Sequence, residues 1–471
     1  MYKEKIKNLV LILLVFIAIY SSSFIWLDLS FDFTRLNPID NEIEEVYLWD
    51  KIKPSKVSVT DRYEYIIYDP SINMTVWDVF RDTLFDIFRY AYVEGDIQEA
   101  SIQGNTIRIY FDNAMPSELL SESFGMNNNR FQSFVDRIRW IAFNVDNGKL
   151  YVNNGTNTYG LEISTNNQEL EVAYKNAIDY ASNKYDILFN MGKNAPYIPV
   201  STEETALNPV FIKSEIDIED TGNIESIAKN YFKDSFDYVR TTIDSSRTIN
   251  YIYRNEKVLR LYEEGLLEFY DSIESTLDDS SMYRSFLIAI NFIDDFLGFP
   301  ENAYLSQVTT FIEDGKYGYR FLFNHSLLER PVVFSQVRDE KAIQVDVIGS
   351  KVVFYQRFIR VVDELMETEM IEVSVLTPQE IMENNIDFIA ELYLESPENQ
   401  YLEHDEVKER ILNGIQEIYL AYFDPSRRSR DQLMRSVWVF KTTNRSYVFN
   451  AITGAIIEEQ KVAQGVEDGL E

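Results

Sequence analysis

Residues 8–27 carry no charge and are mostly apolar, and no other stretch of the chain has this character. At about 1.5 Å per helical residue the run is about 30 Å long, the hydrocarbon thickness of a bilayer. Lys3, Lys5 and Lys7 precede it, and Asp28, Asp32 and Asp40 follow. That asymmetry predicts a single N-terminal transmembrane helix, residues 1–7 in the cytoplasm and the rest extracytoplasmic. A cleaved signal peptide is the alternative, with Ser21 and Ser23 as small residues near a cut. The run is longer than an ordinary signal core and resumes with Phe24, Ile25, Trp26 and Leu27, which favours retention. Within it, Ala18 and Ser22 lie four apart and offer a face on which a second membrane helix could pack closely.

Beyond the run the period changes. Residues 28–55 read as a stalk between Pro38 and Pro54. Alternation through 58–69 (Val59, Tyr63, Tyr65, Ile67) predicts strand, and Val76, Trp77, Phe80, Leu84, Phe88 and Ala91 recur at helical spacing. Strand patterns follow at 107–112, around RIRWIAFN and at KLYVNN, with Asp146–Asn147–Gly148 as a tight turn. These elements delimit a first α+β domain over 56–200. A middle domain, 201–282, pairs a helix at 223–239 with three strands turning at Arg254–Asn255–Glu256 and Glu264–Gly265. A C-terminal domain, 283–462, opens with a helix at 283–297, then long alternating strands and a hairpin at Gly349–Ser350. Thr377, Pro378 and Glu380 spell a helix start with a reciprocal cap. VKERILNGIQEIYLAYFD reads as a second amphipathic stretch, and a hairpin at Thr443–Asn444 closes the domain before an acidic tail, 463–471. The expected fold class is α+β: antiparallel sheets covered by helices, carried outside the membrane on one anchor.

Composition narrows the chemistry. The chain has 77 acidic and 44 basic residues, a net charge of −33, which repels nucleic-acid backbones and anionic lipid head groups. It has no cysteine, so an exported body must rely on its cores rather than on disulfides, a habit ordinary among Gram-positive bacteria. Thiol catalysis, thiolate metal sites and a lipoprotein anchor fall with the same count. His325 and His404 are the only histidines, and neither sits in a metal-ligand motif, so no metal and no cofactor is expected. There is no GxSxG and no phosphate-cradling glycine loop. Adjacent acids at Asp294–Asp295, Glu263–Glu264 and Asp278–Asp279 leave one enzymatic alternative, a cell-wall glycan hydrolase using two carboxylates about 5 to 10 Å apart. Among 77 acids such neighbours arise by chance, and the expectation is a protein without catalysis. The 31 Tyr and 31 Phe fall mainly at strand-alternating and helix-face positions, where they pack cores.

The layout as a whole, with SVWVFKTTNRSYVFNAITGAII at its end, resembles the YycH family. In that stretch a strand containing Trp438, a short turn and the run Asn450, Ala451, Thr453, Gly454 form a closing hairpin like that of a YycI- or PepSY-like module. The resemblance implies an accessory regulator of a WalK-type sensor histidine kinase in two-component signalling, working with a YycI-like single-span partner. It implies action through the transmembrane helix, with Ala18 and Ser22 as candidate interaction face, and it carries no catalytic residues.

Overall fold

The computed structural model describes Leu48 and residues 51–461, except 127–130, 163–166, 186, 196, 202–208, 255, 274–279, 301, 337–340, 364–373, 396–398, 426–431 and 444. The apolar run with Ala18 and Ser22, nearly all of the stalk, the Asp278–Asp279 pair and the acidic tail lie outside the described residues. No described helix is long and apolar enough to cross a membrane. The described residues from Lys51 onward belong to one unit of mixed α+β structure.

Alternation in the first part of that unit becomes a seven-stranded antiparallel sheet. Its strands are β1 (Lys56–Thr60), β2 (Glu64–Ile67), β3 (Tyr92–Ile97), β4 (Thr106–Pro116), β5 (Arg137–Asn144), β6 (Lys149–Asn153) and β7 (Thr158–Glu162), in the order β2-β1-β4-β5-β6-β7-β3. Val57 faces Ile109 and Val59 faces Ile107 across β1 and β4, and all four are buried. The expected Asp146–Gly148 turn joins β5 to β6, with Gly148 at φ +67°, a value L-side chains resist.

Helix α1 (Pro70–Tyr90) starts where Asp69 accepts the Ser71 N–H and Pro70 occupies the first turn. Its apolar stripe, Val76, Trp77, Phe80, Leu84 and Phe88, is buried, with Trp77 edge-on to Phe111 of β4 at 5.9 Å. Each such side chain contributes about 1.5–3 kcal/mol by leaving water. A short α2 (Ser117–Ser123) follows β4. Helix α3 (Asn167–Lys184) packs on α1 and β1, with the Tyr174 hydroxyl donating to the Thr60 carbonyl at 3.2 Å.

The hairpin β8 (Ile187–Phe189) and β9 (Ile198–Val200) leads into a second sheet system of fifteen strands. One wing holds β11 (Arg240–Ile243), β12 (Ile249–Tyr253), β13 (Lys257–Leu261), β14 (Leu267–Asp271), β15 (Ala303–Glu313), β16 (Lys316–Leu327), β18 (Ile343–Ile348) and β19 (Lys351–Arg357). The middle-domain strands thus do not form a separate sheet: β14 pairs with β19, so the ladder runs β11-β12-β13-β14-β19-β18-β16, with β15 beside β16. Helices α4 (Thr221–Phe232) and α5 (Met282–Phe296) cover it, and Tyr231 stacks on Phe296 at 4.0 Å above Phe269 and Tyr355.

The other wing holds β17 (Arg330–Phe334), β21 (Ile415–Asp424), β22 (Gln432–Thr442), β23 (Arg445–Asn450) and β24 (Ile456–Lys461), with β10 (Val210–Ser214) and β20 (Arg360–Val362) at the start of β22. Among the described residues every pairing is antiparallel except β17 with β21. Helices α6 (Pro378–Leu394) and α7 (His404–Gly414) cover it. Helix α6 begins with the expected capping box between Thr377 and Glu380. The 407–424 stretch departs from its reading as one amphipathic element: after Gly414 the backbone becomes extended and residues 415–424 are β21, because Ile, Tyr and Phe there are buried between neighbouring strands. In the Asn450–Gly454 run, the Asn450 side chain accepts the N–H groups of Ile452 and Thr453 and so shapes the turn into β24.

Candidate functional site

The two sheet systems meet at a polar cleft of about 320 Å³. Its shape begins with an irregularity in β4. The register against β5 shifts between Tyr110 and Met115, so residues 111–114 leave the ladder and reach the second system. There Asn113 donates to the Ser306 carbonyl at 3.1 Å. The Asp112 carboxylate accepts from the Asn324 amide at 2.8 Å and from the Tyr304 hydroxyl at 3.3 Å. Opposite the bulge, Arg139 of β5 donates Nη1 to the Asp112 carbonyl.

The second system contributes from β21 and β22. Glu417, buried beside a register shift in β21, pairs across the ladder with Lys441. Its Oε2 accepts from Lys56 Nζ of β1 at 2.6 Å, and its Oε1 accepts from the Tyr68 hydroxyl. Tyr68 also lies against Tyr419, ring centroids 4.5 Å apart. Burial pushes Glu417 upward, but the charge of Lys56 and then that of Lys441 outweigh it and hold the carboxyl below its ordinary value. Burial, followed by the Glu417 charge, drives the Tyr68 and Tyr419 phenols well up, so both remain neutral hydrogen-bonding groups.

The charges here are unevenly matched. Lys56 has Glu417, and the Asp112 carboxylate is occupied by an amide and a phenol. Arg139 and Lys441 line the same cleft, and neither makes an ion pair among the described residues. Burial lowers the Arg139 guanidinium despite the opposing pull of Asp112 and Glu417. Burial, then the neighbouring Lys56 charge, lowers the Lys441 ammonium.

The residues singled out in the sequence lie elsewhere. Asp294, near the end of α5, accepts the Phe299 N–H at 3.0 Å, and burial raises its carboxyl. Glu263 sits in an exposed pair with Arg247, while the Glu264 carbonyl accepts from Arg360. None of these acids lines the cleft. His325 is buried in β16 beside Phe334, with neither ring nitrogen hydrogen-bonded; burial, helped by the Arg357 charge, pushes it down to about 4. His404 is the first residue of α7 rather than part of a loop. Among the described residues no group of three or more His, Asp or Glu side chains could hold a metal.

Sequence reasoning passed over Lys56, Asp112, Arg139, Glu417 and Lys441. Their one signal is a charge inside or at the end of an apolar strand run, as in IRIYFD, RIRWIAF and IQEIYLAYF. No family model matches the chain, and no curated protein matches it. Among solved structures, the Bacillus megaterium YpeB C-terminal domain aligns with 52% of this chain and 97% of its own length, at 11% identity and a TM-score of 0.25. A likeness of that size assigns neither fold nor function.

Proposed function

We propose that this chain is a membrane-anchored, extracytoplasmic accessory protein that acts by contact with partner proteins and without catalysis of its own. In its finer form the reading makes it a YycH-like regulator of a WalK-type sensor histidine kinase, paired with a YycI-like single-span protein. The apolar run at 8–27 behind three lysines and the layout of the body support it.

The observation that carries the reading is how the chain enters the body. The Lys51 carbonyl accepts the Leu305 N–H of β15 at 2.7 Å, Ser55 donates its N–H to Tyr110 of β4 at 2.8 Å, and Lys56 binds Glu417 of β21. Within six residues, Lys51–Lys56, the end of the stalk and the first residue of β1 are tied to both sheet systems. A shift of one system against the other therefore bears on residues 51–56. A two-state kinase needs only such a differential contact to change its balance.

Crosslinking the full-length protein in its native membrane tests this. Capture of a histidine kinase or a YycI-like protein is the expected result, and capture of neither overturns the reading. Replacing Ala18 and Ser22 together by Leu leaves the exterior fold intact and lowers co-purification with the kinase. Unchanged co-purification and signalling removes the membrane helix from the mechanism.

A further inference from the structure

We infer that the cleft between the two sheet systems is a binding site for a small solute bearing an oxyanion, a carboxylate or a phosphate, gripped by Arg139 from one system and Lys441 from the other. The chain carries 77 acids, yet these two cations face one cleft and neither makes an ion pair among the described residues. Leaving partly buried charges unpaired is costly, and proteins normally neutralise them or use them. The two acids nearest by offset part of that charge without bonding to it: Glu417 is held by Lys56 and Tyr68, and Asn324 and Tyr304 share Oδ2 of Asp112.

Arg139 spends only Nη1, on the Asp112 carbonyl, which leaves Nε and Nη2 of its planar fork for a second acceptor. Lys441 adds a point charge from across the cleft. Neutral phenols at Tyr304 and Tyr419 line the same space and suit a hydroxylated or amide-bearing body. The cleft volume of about 320 Å³ is at the small end of the range for ligand pockets. That admits a small metabolite-sized solute. The depressed Lys441 ammonium fits the same picture, since a bound anion would relieve the repulsion from Lys56 and Arg139. The site does not depend on the kinase reading and stands or falls by itself.

Isothermal titration calorimetry and thermal unfolding of the purified full-length protein test it, with sodium phosphate and sodium acetate as separate probes against sodium chloride at equal ionic strength. A saturable response to either oxyanion, absent with chloride, is expected, and the tighter probe tells phosphate from carboxylate ligands. Arg139→Gln and Lys441→Met each weaken that binding at least tenfold, while the unliganded protein unfolds at nearly the wild-type temperature. If Arg139→Gln does not fold, Lys441→Met alone decides. Phosphate and acetate both behaving as chloride, or variants that bind like the wild type, overturns the site.

Discussion

Two arginine neighbourhoods of this protein invite comparison, because they treat the same charge in opposite ways. Arg357, at the end of β19, is closed on every side. Its Nε and Nη2 donate to the two oxygens of Glu215 at 2.8 and 2.7 Å, and its Nη1 donates to the Gly298 carbonyl at 2.7 Å. That carbonyl lies just past the C-terminus of α5, where the helix dipole is negative. Arg139, in the cleft, has one hydrogen-bond acceptor, the Asp112 carbonyl, no carboxylate bonded to it among the described residues, and a second cation, Lys441, in its surroundings. The first cluster joins β19 to the segment after β10 and leaves nothing for a ligand. The second holds donors in reserve, and its imbalance is what separates a binding site from a structural bridge.

The comparison breaks most visibly at Arg357. Arg357→Met should destabilise the protein by about 3 kcal/mol, the lower part of the range for opening a buried pair, because the Glu215 side chain left behind is 28% exposed. Urea denaturation of the full chain measures it, and a loss below about 1 kcal/mol would mean the pair is no structural bridge.

A middle effect belongs to Glu417, a buried carboxylate that pairs at 2.6 Å with Lys56 of the cleft lining. Glu417→Gln should cost about 1–3 kcal/mol at neutral pH, since it leaves Lys56 without its charge. The wild-type carboxyl is lower in the folded state than in the unfolded one. Its contribution is therefore complete above the ordinary carboxylate range of about 4.3 and disappears as pH falls through the folded value. Stability measured from pH 7 downward should fall more steeply in wild type than in Glu417→Gln. Parallel curves would deny the pair its role.

Much of the frame around these clusters was legible in the chain. The stripe from Val76 to Phe88, the Thr377–Glu380 box and the turns at Gly148, Gly265 and Gly349 depend on neighbours a few residues away, and they appear where the sequence puts them. Helix α3 was not read, because its buried face is Leu170, Ala173, Tyr174, Ala177 and Ala181, and three small alanines make a faint apolar stripe. The strand after Gly414 was hidden because its helical and extended periods overlap in one apolar run. The cleft was beyond local reading altogether. Lys56, Arg139 and Lys441 come from strands far apart in the chain, and Asp112 reaches them only through the bulge at 111–114. No periodicity foretells a bulge that turns a strand charge toward another sheet.

The smallest expected effect is the most informative about the cleft. Lys441 is lowered in the folded protein by burial and then by Lys56, so the charged form is disfavoured there relative to the unfolded chain. For a lysine lowered in this way, folding costs free energy at neutral pH, and the cost fades as pH rises toward the unfolded value of about 10.4. Lys441→Met keeps the apolar stem and removes the charge, so without ligand it should change stability by no more than about 1 kcal/mol at pH 7, and toward gain. Denaturation of both proteins between pH 7 and 10 measures this, with the wild type drawing level as pH rises. The contrast with Arg357→Met is then complete: a buried cation is removed at a heavy structural cost, a half-buried one at none. A Lys441→Met loss as large as that at Arg357 would mean that Lys441 serves the fold, and the two clusters would differ in geometry alone.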